Sequence, residues 1–187
     1  KFKIKHRDNY RKILSFYQLQ SIQVVITTFV TYPVMNNKNK SDFILFLLIP
    51  LAVGALSALF IGTMSYSSFQ KPAVSPPSWL FPIVWTILYI LMGISSYLIY
   101  SSNNAGKTKA LTTYGLQLVF NFFWSILFFR YSLYFFAFLW LLALILLIVI
   151  MIYQFYKISP LAAYLQIPYL MWCIFAAYLN YGIYRLN

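Results

Sequence analysis

Acidic side chains are almost missing from this chain of 187 residues, which has two acids, Asp8 and Asp42, against fourteen lysines and arginines. No carboxylate side chain follows Asp42, and the single histidine, His6, lies near the start. Catalysis by paired carboxylates or by a histidine-containing triad therefore has no residues to use in the long apolar part of the chain. Calcium, magnesium and zinc sites lack ligands there for the same reason. We expect this part to bind rather than to hydrolyse, with no catalytic residues, no metal and no required cofactor.

Hydrophobic residues make up 62% of the chain and charged residues only 9%, which is far from the usage of soluble proteins. Five apolar runs are long enough to cross roughly 30 Å of hydrocarbon as helices of about 20 residues. The connections between them are short and polar, basic or proline-bearing, which favours antiparallel neighbours. Strands of a membrane β-barrel would be about 10 residues long and alternating. The sequence therefore predicts an all-α integral membrane bundle with five transmembrane helices at 43–62, 80–100, 110–129, 133–156 and 161–184.

Basic residues near the ends of the predicted helices indicate the orientation, since they accumulate on the inner side of a membrane. One side would carry five of them and the other side three, which predicts an inner N terminus for this multi-pass protein. Usage rich in Phe, Tyr, Ile, Lys and Asn favours a bacterial source, and hence a bacterial plasma membrane. The two sets are Lys38, Lys40, Lys107, Lys109 and Lys157 inside, and Lys71, Arg130 and Arg185 outside.

The first 34 residues differ in composition from the rest. Six of the fourteen basic residues lie in the first twelve positions, and the short β-branched run at 24–30 is too short to cross a membrane. Met35 begins a polar stretch just ahead of the first apolar run. We therefore predict a basic N-terminal extension over 1–34, disordered or not native, and a membrane domain over 35–187. The alternative is a basic arm that binds anionic lipid or nucleic acid, but the net charge of +12 is not a nucleic-acid signal, and no such partner is expected.

Polar and aromatic residues recur at helical spacing within three of the predicted helices. Polar residues in a membrane are costly unless they face protein or a cavity, so these faces are expected to line the bundle interior. One interpretation is interhelical hydrogen bonding with aromatic packing; together, the faces favour an aromatic-walled pocket. The residues are Trp85, Tyr89 and Ser96 in the second helix, Gln117, Asn121 and Trp124 in the third, and Pro168, Trp172, Ala176 and Asn180 in the fifth.

Small residues recur at every fourth position of the first predicted helix, at Gly54, Ala58 and Gly62. Such a row allows the backbones of two helices to approach closely. The partner helix would lie either within the bundle or across a homodimer.

Several ordered motifs make the chain from about 42 to 187 similar to the translocator protein family, also called tryptophan-rich sensory proteins or peripheral-type benzodiazepine receptors. The motifs are specific as a set and none is specific alone. They are QKP at 70–72 with the proline pair at 76–77, VWTILYILMG at 84–93, SYL at 96–98, NFFW at 121–124, FF at 128–129, SPLAA at 159–163, PYLMW at 168–172 and LNY at 179–181.

The resemblance implies five helices around a pocket that opens near the first loop. It also implies binding of porphyrins such as protoporphyrin or haem, of sterols, and of synthetic benzodiazepine-type ligands. Carried over by motif position, Trp85 and Trp172 would be the pocket tryptophans, with Tyr66, Asn121 and Ala176 beside them. Tyr89 and Trp124 join this candidate site through the shared helical faces described above.

The loop that contains Lys71, Pro72, Pro76 and Pro77 is expected to act as a lid over this pocket. Proline reduces the entropy lost when a loop becomes ordered, which suits a semi-rigid cover. The family commonly has a tryptophan between these prolines, where this chain has Val74. The alternative is an ordinary interhelical loop.

A loose sterol-binding pattern occurs at Leu179, Tyr181 and Arg185, at the position where the family has one. Residues 149–157 fit the same pattern equally well, which shows how permissive it is. The alternative is that the tyrosine and the arginine anchor a helix end at the membrane interface.

Three functions remain open for the predicted pocket. The first is a sensory or regulatory protein that binds tetrapyrroles and other hydrophobic ligands. The second is a transporter of porphyrin, lipid or sterol, although no repeat or pair of half-helices marks a midplane site. The third is an enzyme that degrades porphyrin in light, with tryptophan as the redox participant.

Overall fold

The structure is a computed structural model that describes residues 37–61 and 70–187, with side chains described for 39–60 and 70–187. The chain divides into two compact units, Lys1–Lys40 and Ser41–Asn187. Only the last residues of the first unit are described, as the start of the first helix. The extension predicted for 1–34 lies outside the described residues and stays a prediction.

Six α-helices account for most of the described residues, and no β-strand occurs among them. Five stretches of these helices are long and apolar enough to cross a membrane. The prediction of an all-α fold with five membrane helices is therefore confirmed. In chain order the helices are α1 (Asn37–Ile61), α2 (Leu80–Tyr100), α3 (Lys107–Ser125), α4 (Tyr134–Tyr156), α5 (Pro160–Tyr164) and α6 (Ile167–Leu186).

The predicted helix bounds hold most closely for α2, where both ends agree, and least closely for α1. Helix α1 starts at Asn37, six residues before the predicted start at 43. Its first turn is polar, and apolar length alone does not predict a helical turn that extends beyond the hydrocarbon. Pro50 lies inside α1.

The fifth apolar stretch is divided into α5 and α6, and each of these helices has a proline in its first turn. Pro160 occupies the first turn of α5, where the Ser159 hydroxyl accepts a hydrogen bond from the amide of Ala162 at 3.5 Å. Pro168 lies in the first turn of α6. Proline has no amide hydrogen and disfavours a continuing helix before it. Helix α5 therefore ends before Pro168, and α6 starts around it.

Helix α3 continues into a π-helical turn, Ile126–Arg130. The turn closes with a hydrogen bond from the amide of Tyr131 to the carbonyl of Ile126 at 3.2 Å. Ser132 follows with a φ of 53°, in the left-handed region that allows a sharp reversal. This wider turn contains Phe128 and Phe129, which line the cavity described below.

Helix α4 packs mainly on α3 and α6, and α2 packs on α3 and α5. A hydrogen bond of 2.7 Å from the Ser95 hydroxyl to the carbonyl of Ala162 joins α2 to α5. Large apolar side chains such as Leu59 and Leu146, which are 78% and 61% exposed, cover the outer surface. An outer surface of this kind suits contact with lipid tails.

The backbone of α1 lies directly against Gly93 of α2. A β carbon at this position would lie 2.7 Å from the Leu47 Cα atom and 2.9 Å from the Phe46 carbonyl oxygen. Both of these are backbone atoms, which a side chain cannot displace cheaply. Glycine is therefore required where the two helices cross.

Replacing Gly93 with alanine is expected to lower the thermal unfolding temperature in detergent, because overpacking costs about 1–3 kcal/mol. Gly115 is the matched control, since a β carbon there meets nothing within 4 Å. Gly115→Ala is expected to leave the unfolding temperature unchanged or to raise it, because alanine favours helix by about 1 kcal/mol. Equal effects of the two substitutions would contradict the close crossing.

Candidate ligand-binding cavity

A cavity of about 770 Å³ lies between α1, α2, α3 and α6. This volume falls within the range of about 300–1,000 Å³ that is typical of small-molecule pockets. The lining residues are Leu51, Gly54, Ala55, Ser57 and Ala58 of α1; Ser78, Phe81, Pro82, Trp85, Thr86 and Tyr89 in and before α2; Trp124, Ser125, Phe128 and Phe129 of α3 and its π-helical turn; and Ala176, Leu179, Asn180 and Ile183 of α6.

The cavity occupies one end of the helix bundle. Its lining comes from the later turns of α1, α3 and α6 but from the first turns of α2. Because consecutive membrane helices run in opposite directions, these turns all lie at the end of the bundle that carries the loop before α2.

Stacked aromatic pairs form two walls of the cavity. The rings of Trp85 and Tyr89 on α2 stack with centroids 5.4 Å apart and an interplanar angle of 28°. The rings of Trp124 and Phe128 stack at 5.7 Å and 27°. Offset stacks of this kind present flat apolar faces and add roughly 0.5–1.5 kcal/mol per pair beyond burial.

Hydrogen bonds fix the second wall in place. The Trp124 indole nitrogen donates to the Asn180 Oδ1 atom at 3.2 Å, and the Asn180 Nδ2 atom donates to the carbonyl of Tyr134 at 2.8 Å. Asn180 is 1% exposed, and both ends of its side-chain amide are hydrogen-bonded, each to a residue of a different helix. The cavity face of Trp124 is therefore held by α6 and by the start of α4.

A second network holds Tyr89 from behind. Its hydroxyl donates to the Asn121 Oδ1 atom at 2.9 Å, and the Asn121 Nδ2 atom donates to the Tyr169 hydroxyl at 3.1 Å. The Tyr169 hydroxyl in turn donates to the Gln117 Oε1 atom at 2.9 Å. All four residues are buried, and linked buried hydrogen bonds of this kind favour a single side-chain arrangement.

Among the residues that the structure describes, every side chain that lines the cavity is uncharged. The described part of the chain also holds no group of three or more His, Cys, Asp or Glu residues placed to bind a metal ion. The polar side-chain groups of the described lining are hydroxyls, the amide of Asn180, and the indole and phenol groups of its aromatic residues. The site is therefore suited to apolar ligands with few polar groups rather than to acid–base chemistry.

The structure brings four of the predicted site residues together around the cavity: Trp85, Tyr89, Trp124 and Ala176. Asn121 lies one layer further out, as the hydrogen-bond acceptor of Tyr89.

One further predicted residue, Trp172, is not among those that line the cavity. Trp172 packs edge-on against Phe81, which does line it, with ring centroids 5.8 Å apart and an interplanar angle of 68°. Trp172 thus supports a cavity residue from behind. Tyr66 lies outside the described residues.

The predicted lid loop contacts the end of α6. Pro72 packs onto Gly182, where a β carbon would collide with the proline ring. The backbone of Gln70 makes two hydrogen bonds with the Asn187 side chain, at 3.1 and 3.0 Å. Lys71, Pro72, Pro76 and Pro77 are not among the lining residues, whereas Ser78 of the same loop is. The role of these four residues as a lid stays a prediction.

The residues of the sterol pattern do not share one side of α6. Leu179 is buried and lines the cavity. Tyr181 is 44% exposed on the outer surface and packs near Phe138, at a ring distance of 5.3 Å. Arg185 is exposed near the helix end. Sterol binding stays a prediction.

The first helix is the part of the site that sequence reasoning missed. Five lining residues come from α1, although its small residues suggested only a close helix contact. That contact also exists, because a β carbon on Gly54 would collide with the Tyr89 ring. The spacing of Leu51, Gly54, Ala55 and Ala58 is the signal that would have placed one face of α1 on the cavity.

Replacing Asn121 with leucine is expected to destabilise the protein by about 1–3 kcal/mol, because the buried Tyr89 hydroxyl loses its acceptor. The measurement is thermal unfolding in detergent of Asn121→Leu, Tyr89→Phe and the double variant. The double variant is expected to lose less stability than the sum of the two single losses, since each single change leaves one polar group unpaired. Strict additivity would contradict the network.

Comparison with known proteins identifies the family of the chain. Residues 46–185 match the model of the TspO/MBR family. The "Tryptophan-rich protein TspO" of Archaeoglobus fulgidus is 35% identical over 140 residues, which are 73% of this chain and 91% of the relative. The "Translocator protein" of Sus scrofa is 36% identical over 148 residues, 76% of this chain and 88% of the relative. The "Tryptophan-rich sensory protein" of Cereibacter sphaeroides is 33% identical over 149 residues, 78% of this chain and 93% of the relative. The resemblance inferred from the motifs is thus confirmed, and the chain belongs to the TspO/MBR family.

Proposed function

We propose that this protein binds tetrapyrroles, such as protoporphyrin or haem, and other hydrophobic molecules in the cavity, and that binding serves a sensory or regulatory role. The observation that carries the proposal is an uncharged cavity with two stacked aromatic walls, formed by Trp85 with Tyr89 and by Trp124 with Phe128. A tetrapyrrole is flat, aromatic and apolar over most of its surface. It can therefore stack on these walls without leaving a buried charge unpaired.

The two propionate groups of a protoporphyrin have to lie outside the apolar part of the cavity. No lining side chain from 39–60 or 70–187 carries a positive charge, and an unpaired buried carboxylate is costly. Basic residues occur at the same end of the bundle: Arg130 directly follows the lining residue Phe129 and is exposed, and Lys71 belongs to the loop before α2. We infer that the macrocycle enters the cavity while the propionates stay near this basic end.

The chain is an integral multi-pass membrane protein, as its five apolar helices and its family show. We further infer a bacterial plasma membrane with the N terminus inside, from the basic residues at the helix ends. Lipid is then the surrounding partner, and a second copy of the chain remains a candidate partner. On this orientation the cavity end of the bundle faces outward.

Replacing Trp85 with leucine is expected to weaken protoporphyrin binding about 2- to 12-fold, because one aromatic stack of about 0.5–1.5 kcal/mol is lost. The measurement is a protoporphyrin titration of the purified protein in detergent, followed by tryptophan fluorescence and corrected for absorption by the porphyrin. Trp172→Leu is expected to have a smaller effect, since Trp172 does not line the cavity itself and packs on the lining residue Phe81.

Trp140→Leu is the matched control for this titration. Trp140 stacks on Phe120 at 4.4 Å and donates to the carbonyl of the same residue at 2.9 Å, and it does not line the cavity. Its replacement is expected to leave the affinity unchanged. Absence of saturable binding in folded protein, or equal losses from the Trp85 and Trp140 variants, would contradict the proposed function.

A further inference from the structure

Helices α1 and α2 face each other along a seam of regularly spaced residues. Because the two helices are antiparallel, a step forward on α1 matches an equal step backward on α2. Leu47 opposes Gly93 at their crossing. Steps of seven and eleven residues keep the same helical face, so they place Gly54 opposite Thr86 and Ala58 opposite Pro82. These six residues define the α1–α2 seam.

The seam is closed at the Gly93 end. The backbone of α1 touches Gly93 there, and aromatic rings cover the next turns. The ring of Phe43 packs edge-on against that of Tyr97 at 5.1 Å, and the ring of Phe46 lies 4.7 Å from that of Tyr100. This end leaves no passage between the helices.

At the other end of the seam the facing residues do not cover one another, which leaves a gap between α1 and α2. Thr86 and Pro82 share a helical face with the buried Gly93, yet both are exposed, as is Ala58 across from them. All three line the cavity. The end of α1 leans instead towards α3, where the Phe60 and Phe122 rings pack edge-on at 5.8 Å. The helices therefore diverge, and the cavity fills the space between them.

This opening lies within the apolar part of the bundle. Thr86 is six residues into α2, which is about 9 Å along a helix. The outward side chains around it are large and apolar: Ile83 is 50% exposed, Ile87 53% and Leu59 78%. Such side chains suit lipid tails rather than water, so the opening faces the hydrocarbon of the bilayer.

We propose that the open end of the α1–α2 seam is a lateral port through which hydrophobic ligands pass between the bilayer and the cavity. The proposal rests on the function proposed above and adds the route of entry. The rim is small and uncharged at Ala58 and Pro82, and the Tyr89 ring against Gly54 marks where the gap ends. The Thr86 hydroxyl donates to the carbonyl of Pro82 at 2.8 Å, so it has no hydrogen left to offer. A flat or chain-like apolar body can pass such a rim without breaking a polar contact.

A port has a kinetic signature that a binding contact lacks. Closing an entry route slows association and dissociation by the same factor, because both directions use it. Loss of a binding contact acts mainly on the dissociation rate. Comparing the change in the association rate with the change in the dissociation rate therefore distinguishes an entry route from a binding contact.

The test joins the rim across the seam with a removable link. Ala58→Cys and Pro82→Cys are introduced together with Cys173→Ala, since Cys173 is the only native cysteine. A short bis-methanethiosulfonate reagent links the two thiols, and a reductant restores the open seam in the same sample. Association and dissociation of protoporphyrin are measured in lipid nanodiscs before and after reduction.

Linking is expected to lower both rate constants together, by about tenfold or more, and reduction is expected to restore them. An Ile87→Cys variant in the same background, modified with a monofunctional reagent of the same kind, controls for bulk on the lipid-facing side of α2. Its rates are expected to stay unchanged. Unchanged rates in the linked protein, or a slower association without a matching change in dissociation, would overturn the port.

A second measurement separates failure of the port from failure of the proposed function. With the other four tryptophans replaced by phenylalanine, Trp85 fluorescence is recorded in vesicles of phosphatidylcholine with brominated acyl chains. Stronger quenching in the reduced than in the linked protein is expected, because acyl chains reach the cavity through the open seam. Equal quenching overturns the port. If the difference is found but the protein with all its native tryptophans binds no protoporphyrin, only the tetrapyrrole assignment is contradicted.

Discussion

The constraint on which the whole structure depends is that polar groups inside a membrane have to find partners within the protein. A helix pairs its own backbone N–H and C=O groups, which explains why this bundle crosses the membrane as five apolar helical stretches. The few polar side chains inside the bundle include two linked sets. One is Tyr89–Asn121–Tyr169–Gln117, and the other is Trp124–Asn180, which ends on the backbone carbonyl of Tyr134. Both sets hold an aromatic residue of the cavity wall, so the groups that had to be paired also shape the site.

The same constraint explains why a cavity in this bundle suits apolar ligands. A charged lining would need partners that the chain does not supply, since it has no carboxylate after Asp42. An uncharged lining with aromatic walls needs no oppositely charged partner. Small residues on α1 leave room beside Trp85 and Tyr89, and the divergence of α1 from α2 turns that room into a cavity continuous with the bilayer side of the bundle.

Much of this arrangement follows from sequence patterns that depend on a single helix. Apolar length predicts the five membrane helices, and the spacing of Trp85 with Tyr89 and of Asn121 with Trp124 predicts which faces point inward. The break before α6 was not anticipated, although Pro168 explains it. The place of Trp172 behind Phe81 and the contribution of α1 to the cavity depend on how helices tilt against each other. A periodic pattern within one helix carries no information on that tilt, because it identifies a face but not the neighbour in front of it.

The measurement that tests this account most directly is a crystal structure of the protein, grown in lipid, with zinc protoporphyrin bound. The anomalous signal of the zinc locates the centre of the macrocycle independently of the surrounding density. The account predicts one zinc position inside the cavity, with the macrocycle stacked between the pair Trp85–Tyr89 and the pair Trp124–Phe128. A macrocycle bound only on the lipid-facing surface, with the cavity filled by lipid or water, would contradict it.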